Sequence, residues 1–227
     1  MNKEDKIREG QVLLDERENY ESLALPMVTE TFLRVKTLIK ALYHGNYIDE
    51  ITEKWLSLTP NPPRIPVFHT LTKIHKPNPV GGRPIISGCD SPTKRISPFV
   101  DYLLQPIAKV QESYLKYTTD FSNFIENTKV VEDTMLMSMD VTSLYTNIPQ
   151  EEGINIVYNA YESFHLNKPP IPTLYLRDML RLTLRTFTLI VSEQLFCASH
   201  VRVAWGSSRG PHEEKCHAKV CKQIWRP

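Results

Sequence analysis

The chain has 227 residues, 41% hydrophobic and 23% charged, which is the composition of a globular protein and excludes a disordered, fibrous or low-complexity chain. No apolar run reaches the roughly 18 residues of a membrane-spanning helix, and Met1-Asn2-Lys3-Glu4-Asp5 lacks the apolar core of a secretory signal, so no membrane or exported protein is expected. The net charge of +1 conceals alternating blocks: residues 1–60 carry 8 basic and 11 acidic side chains (−3), 61–116 carry 8 and 3 (+5), 117–165 carry 1 and 8 (−7), and 166–227 carry 10 and 4 (+6).

Residues 3–24 read as a charged helix with apolar Ile7, Val12, Leu13 and Leu14. Residues 28–58 are helical by the three- and four-residue spacing of Phe32, Val35, Leu38, Ile39 and Leu42, with a break at Gly45-Asn46. Pro60, Pro62, Pro63 and Pro66 then impose an extended connection. Residues 67–71 and 84–87 form a predicted hairpin whose turn spans 77–82, with Lys73, Lys76 and Arg83 beside it. Ser91 as N-cap and Pro92 at the first helical position open a helix with Ile96, Phe99, Val100, Leu103, Leu104, Ile107 and Val110 on one face, interrupted or kinked at Pro98 and Pro106. Asp120 is the expected cap of a short helix through Phe121, Phe124 and Ile125.

Residues 134–140 alternate as the best predicted strand: Met135, Met137 and Met139 turn to a core face, which leaves Asp140 at the C-terminal end on the other face. One helix follows Pro149 and another follows Thr173, the latter with Leu176, Met179, Leu180, Leu184 and Phe187 as its apolar side.

Basic blocks flanking an acidic one suit a protein that holds a polyanion near a cation-binding centre, although solvated surface has the same signature. Lys73, His75, Lys76 and Arg83 cluster around Gly81-Gly82, where a phosphate can approach the backbone; a solvated basic turn is the plain alternative. Asp140 at the end of a buried strand needs a partner or a cation, or else caps the next turn with Tyr145 as ordinary core. The four cysteines, Cys89, Cys197, Cys216 and Cys221, make no disulfide framework, so a reducing intracellular compartment is expected, with nucleus and cytoplasm both open. His212, Cys216, His217 and Cys221 match no common structural zinc spacing.

Several runs resemble Penelope-like retroelement reverse transcriptases. Lys73-Ile74-His75-Lys76-Pro77 through Gly82-Arg83-Pro84-Ile85-Ile86-Ser87-Gly88 resembles their fingers motif. Ser91-Pro92-Thr93, Ile96-Ser97, Asp101, Leu104-Gln105-Pro106 and Thr118-Thr119-Asp120-Phe121 follow in the family's order. Met139-Asp140-Val141-Thr142-Ser143-Leu144-Tyr145-Thr146-Asn147-Ile148-Pro149 is similar to polymerase motif A.

The likeness covers about residues 55–195. It implies an α+β fold, an incomplete right-hand polymerase fingers and palm (59–195) behind an N-terminal helical segment (1–58) and ahead of a divergent tail (196–227). It also implies that template–primer RNA or DNA and deoxynucleoside triphosphates are the partners and that magnesium is the cofactor. Asp140 would be the catalytic metal ligand, joined by the Val141 carbonyl. Tyr145 would lie under the nucleotide sugar, Arg83 against the incoming base, and Lys73 at the triphosphate. Lys76, Lys94 and Arg95 would hold template phosphates.

The likeness weakens after residue 195. Residues 203–211 resemble a degraded motif B, with Trp205 and Arg209 oversized and Arg202 in place of a glycine, and no Asp-Asp pair of motif C occurs anywhere. One carboxylate cannot offset two dications about 4 Å apart. The expected activity of the chain alone is therefore little or none, and a non-catalytic nucleic-acid-binding module or an inert retroelement relic are the other readings.

Overall fold

A computed structural model describes residues 3–15, 20–71, 83–135, 137, 139, 149–166, 168–185, 188–191 and 194–198. Among them are seven helices and one five-stranded sheet of order β1-β5-β4-β2-β3. None of these helices is long and apolar enough to cross a membrane.

Helix α1 (Lys3–Leu14) lies on strand β2 (Val67–Leu71). Thr70 Oγ1 donates to Glu9 Oε2 at 2.8 Å, and Gly10 approaches the Phe68 ring so closely that a Cβ there would stand 3.3 Å from it. The helix expected over 3–24 thus ends at Leu14, and Tyr20–Leu23 is instead strand β1, antiparallel to β5 (Gln194–Ala198). Backbone pairing with a strand some 175 positions away overrides the local helical pattern there.

Helices α2 (Val28–His44) and α3 (Glu50–Leu56) are separated where the sequence places the break. Asn46 adopts a φ of 57°, and the Tyr47 ring fills the space into which a Cβ on Gly45 would project. Asp49 caps α3, its Oδ1 accepting from Thr52 N at 2.7 Å. Hydrogen bonding from the Thr52 side chain, and then from this Thr52 backbone N–H, holds the Asp49 carboxyl below its ordinary pKa.

Strands β2 and β3 (Arg83–Ser87) form the expected antiparallel hairpin, pairing Val67 with Ser87 at its base and Leu71 with Arg83 toward its tip. Strand β4 (Thr188–Val191) runs parallel to β2 and antiparallel to β5. Helix α4 (Ile96–Lys109) begins later than Ser91-Pro92 predicts. Ser91 N donates to the Gly88 carbonyl and Lys94 N to the Ser91 carbonyl, both at 3.2 Å, so this stretch closes into turns, and the buried Ser91 Oγ caps nothing. Pro98 sits in the first turn, where a missing N–H is harmless, and Pro106 does not end the helix.

In α5 (Thr118–Glu126), Asp120 reaches back from the third helical position to accept from Tyr117 N at 2.9 Å. No side chain of α5 is buried, and Phe121, Phe124 and Ile125 are exposed. The strand expected over 134–140 does not form at the residues described. Met135, Met137 and Met139 are 81%, 70% and 86% exposed and outside any strand, so the core face assigned to them is corrected. Alternation makes a strand only where a neighbour supplies backbone partners, and β4 and β5 occupy the sheet beyond β2.

The core lies among helices. Helices α6 (Gln150–His165) and α7 (Thr173–Arg185) pack antiparallel: Gln150 Nε2 donates to the Leu184 carbonyl, and Arg181 pairs with Glu151 at 3.0 Å. Leu176, Met179 and Leu180 of α7 meet Val35, Leu38 and Leu42 of α2, Leu56 of α3, Val100 and Leu103 of α4, and Ile154 of α6 in one cluster. Residues on both sides of position 58 therefore share a core.

At the closed end of the α6–α7 pair, the buried Tyr161 hydroxyl accepts from Ile171 N at 3.3 Å and donates to the Ile171 carbonyl at 3.2 Å. Tyr161→Phe leaves both backbone groups unsatisfied in a dry site, and a loss of about 1–3 kcal/mol is expected in urea unfolding. Because Asp49 has a lowered folded-state pKa, its cap stabilises α3 fully above the ordinary aspartate value, and this contribution is lost as pH falls through the folded value. Asp49→Asn keeps a capping oxygen that does not titrate. Melting curves between pH 2 and pH 7 should show a shallower acid decline for that variant than for the parent.

Candidate functional site

The residues that could contact a polyanion follow from the hairpin and what flanks it. Arg83 opens β3 opposite Leu71, at the tip-facing end, and Lys73 follows two positions after Leu71 in the sequence. At the other end, Ser87 leads into Gly88, Cys89 and Asp90 and then the turns before α4. Four strand steps of about 3.4 Å put nearly 14 Å between the two ends of β3. Arg83 and the cations that precede α4 therefore stand at opposite ends of the strand.

The base of the hairpin is tied to what comes before it. Arg64 N, in the proline-rich connection, donates to the Asp90 carbonyl at 2.9 Å, and Asp90 itself takes the left-handed φ of 59°. The Asp90 carboxylate accepts from Lys94 Nζ at 3.0 Å across one turn. Lys94 is exposed and its charge is offset locally.

Arg95 differs in kind. It is the N-cap residue of α4, with αR backbone angles and no side-chain capping bond, so its charge stands at the positive end of the helix dipole. The first turn of α4 contains no acidic residue. No carboxylate among the described residues comes within ion-pair reach of Arg95. The guanidinium carbon instead lies 5.1 Å from the centroid of the Trp55 ring on α3, and Nε is buried without a hydrogen-bond partner. A charge held by a neutral ring keeps its full attraction for an anion, whereas the Lys94 charge is already shared with Asp90.

The hairpin–turn unit thus brings Lys94 and Arg95 together at its base and sets Arg83 at its far end. Lys73, Lys76, Asp140, Val141 and Tyr145 lie outside the described residues, as do His212, Cys216, His217 and Cys221. No group of three or more His, Cys, Asp or Glu side chains among the described residues could hold a metal ion. Elsewhere, hydrogen bonds donated to carboxylates shift two ionisations upward: Glu151 raises the Arg181 guanidinium and Glu162 raises the Tyr158 phenol. Both belong to the α6–α7 scaffold.

Two participants, Asp90 and Trp55, escape the sequence reading. Asp90 could have been found four positions before Lys94. Trp55, forty residues from Arg95, has no local signal of its role. No protein-family model, curated protein or solved structure matches the chain.

The contrast between the two cations is measurable by fluorescence anisotropy on a labelled single-stranded oligonucleotide. Arg95→Ala is expected to weaken binding by about tenfold or more, the scale of one charge-assisted phosphate contact. Asp90→Asn keeps a residue that tolerates the left-handed φ and releases Lys94, so binding should tighten by about twofold.

Proposed function

We propose that the chain is a fingers and partial palm portion of a retroelement reverse transcriptase of the Penelope-like kind, and that it holds template–primer nucleic acid without performing nucleotidyl transfer by itself. The carrying observation is the antiparallel β2–β3 hairpin, in which a resembling fingers motif begins two residues past Leu71 and resumes at Arg83 opposite it. The base-of-hairpin cations Lys94 and Arg95 add a second contact region, suited to sequence-blind binding of phosphates.

In this reading Lys73 and Arg83 meet the nucleotide, and Lys76, Lys94 and Arg95 meet the template backbone. Tyr145 selects against a 2′-hydroxyl. Asp140 with the Val141 carbonyl supplies part of a magnesium site. The donor set does not amount to a complete one. A two-metal centre carries four positive charges, and this chain has one resembling carboxylate and no Asp-Asp pair to set against them. Magnesium therefore binds weakly to the chain alone, and the acidic block at 117–165 acts as palm surface.

Primer extension on an RNA template with magnesium, run beside binding to the same duplex, tests both halves. The expected result is binding that weakens steeply with salt, no extension, and no change in binding on Asp140→Ala. Extension that disappears with Asp140→Ala would overturn the non-catalytic half. Absence of salt-dependent binding would overturn the nucleic-acid reading itself.

A further inference from the structure

We propose that Trp55 is the positioning residue for Arg95: its ring, half-buried against the helical core, holds the guanidinium in place for a template phosphate, so that a residue of the N-terminal helical segment determines nucleic-acid affinity. The inference rests on the nucleic-acid reading above and deepens it.

Both ends of the contact are anchored. Trp55 packs against the helical core beside Leu56, which is buried in it, and α3 is held at its start by the Asp49 cap. Arg95 immediately precedes the buried Ile96 and Ser97 of α4. The backbone bond from Arg64 N to the Asp90 carbonyl draws the connection after α3 and the turns before α4 together, which brings ring and guanidinium into register. Their separation of 5.1 Å is within cation–π range.

The acidic side chains of α3 are occupied elsewhere. Lys54 Nζ donates to Glu50, and Ser57 Oγ donates to Glu53 at 3.2 Å. The aromatic face fixes the long arginine side chain at no cost in charge, and of the five guanidinium N–H donors only Nε–H is buried without a partner. Ordering that side chain before a phosphate arrives removes entropy that binding would otherwise lose.

The experiment uses the full chain and a labelled single-stranded RNA of mixed sequence, titrated at several salt concentrations, with a melting temperature for every variant. Trp55→Leu fills the core without offering a ring, and Trp55→Phe keeps a ring. Trp55→Leu should weaken binding about two- to fivefold and reduce the slope of log affinity against log salt by about 0.7, as Arg95→Ala does for one lost phosphate contact. Trp55→Phe should restore most of both. In the Arg95→Ala background, Trp55→Leu should change neither.

Equal affinity and slope for Trp55→Leu and Trp55→Phe would overturn the proposal, as would an undiminished effect of Trp55→Leu without Arg95. Should Arg95→Ala itself change neither affinity nor slope while the parent chain binds, the positioning role falls and the nucleic-acid reading stands; absence of salt-dependent binding by the parent chain removes both. A weakened Arg95→Ala beside an unaltered Trp55→Leu removes the positioning role alone.

Discussion

Burial of one face of α7 is the contact on which the rest of the structure depends. Leu176, Met179 and Leu180 are each almost inaccessible, and the residues they touch come from α2, α3, α4 and α6. Each such side chain contributes about 1.5–3 kcal/mol when removed from water, so a single stripe joins segments more than a hundred residues apart. Because α4 is set by that packing, so is the position of its N-terminus, and with it Arg95. The hairpin β2–β3 then has a fixed base, since Asp90 is bonded to the connection that leaves α3.

The helical part of this arrangement is legible in the sequence because its pattern is local. Phe32, Val35, Leu38 and Ile39 recur at three and four residues and are all buried. Leu176, Met179 and Leu180 do the same, and Gly45-Asn46 breaks the long helical stretch where the spacing fails. The β2–β3 hairpin is legible too, because proline and glycine clusters bound two short apolar runs. Where the sequence misleads, a distant partner decides. Tyr20–Leu23 is a strand because β5 pairs with it. Residues 134–139 alternate as a strand should, yet Met135, Met137 and Met139 find nothing to pack against among the described residues. Ser91 precedes a proline as an N-cap should, but its turn closes through the Gly88 carbonyl and the helix starts at Ile96.

The same distinction governs the candidate site. Arg83, Lys94 and Arg95 are visible as cations in a basic block, but sequence cannot rank them. The ranking comes from their neighbours: a carboxylate four residues back for Lys94, and an indole forty residues back for Arg95. Charge along a chain counts cations without saying which are already neutralised. The N-terminal helical segment, set apart in the sequence as residues 1–58, meets Arg95 through Trp55 and enters the core through Leu38, Leu42 and Leu56.

The three exposed methionines carry a consequence of another kind. A thioether open to solvent is readily converted by peroxide to its sulfoxide, and packing slows that reaction. Met135, Met137 and Met139 therefore act as built-in chemical reporters for the segment leading to Asp140. Oxidation of all three at the pace of a small-molecule thioether corresponds to the open arrangement described here. Protection of the alternating set marks any state in which another surface has come down upon it.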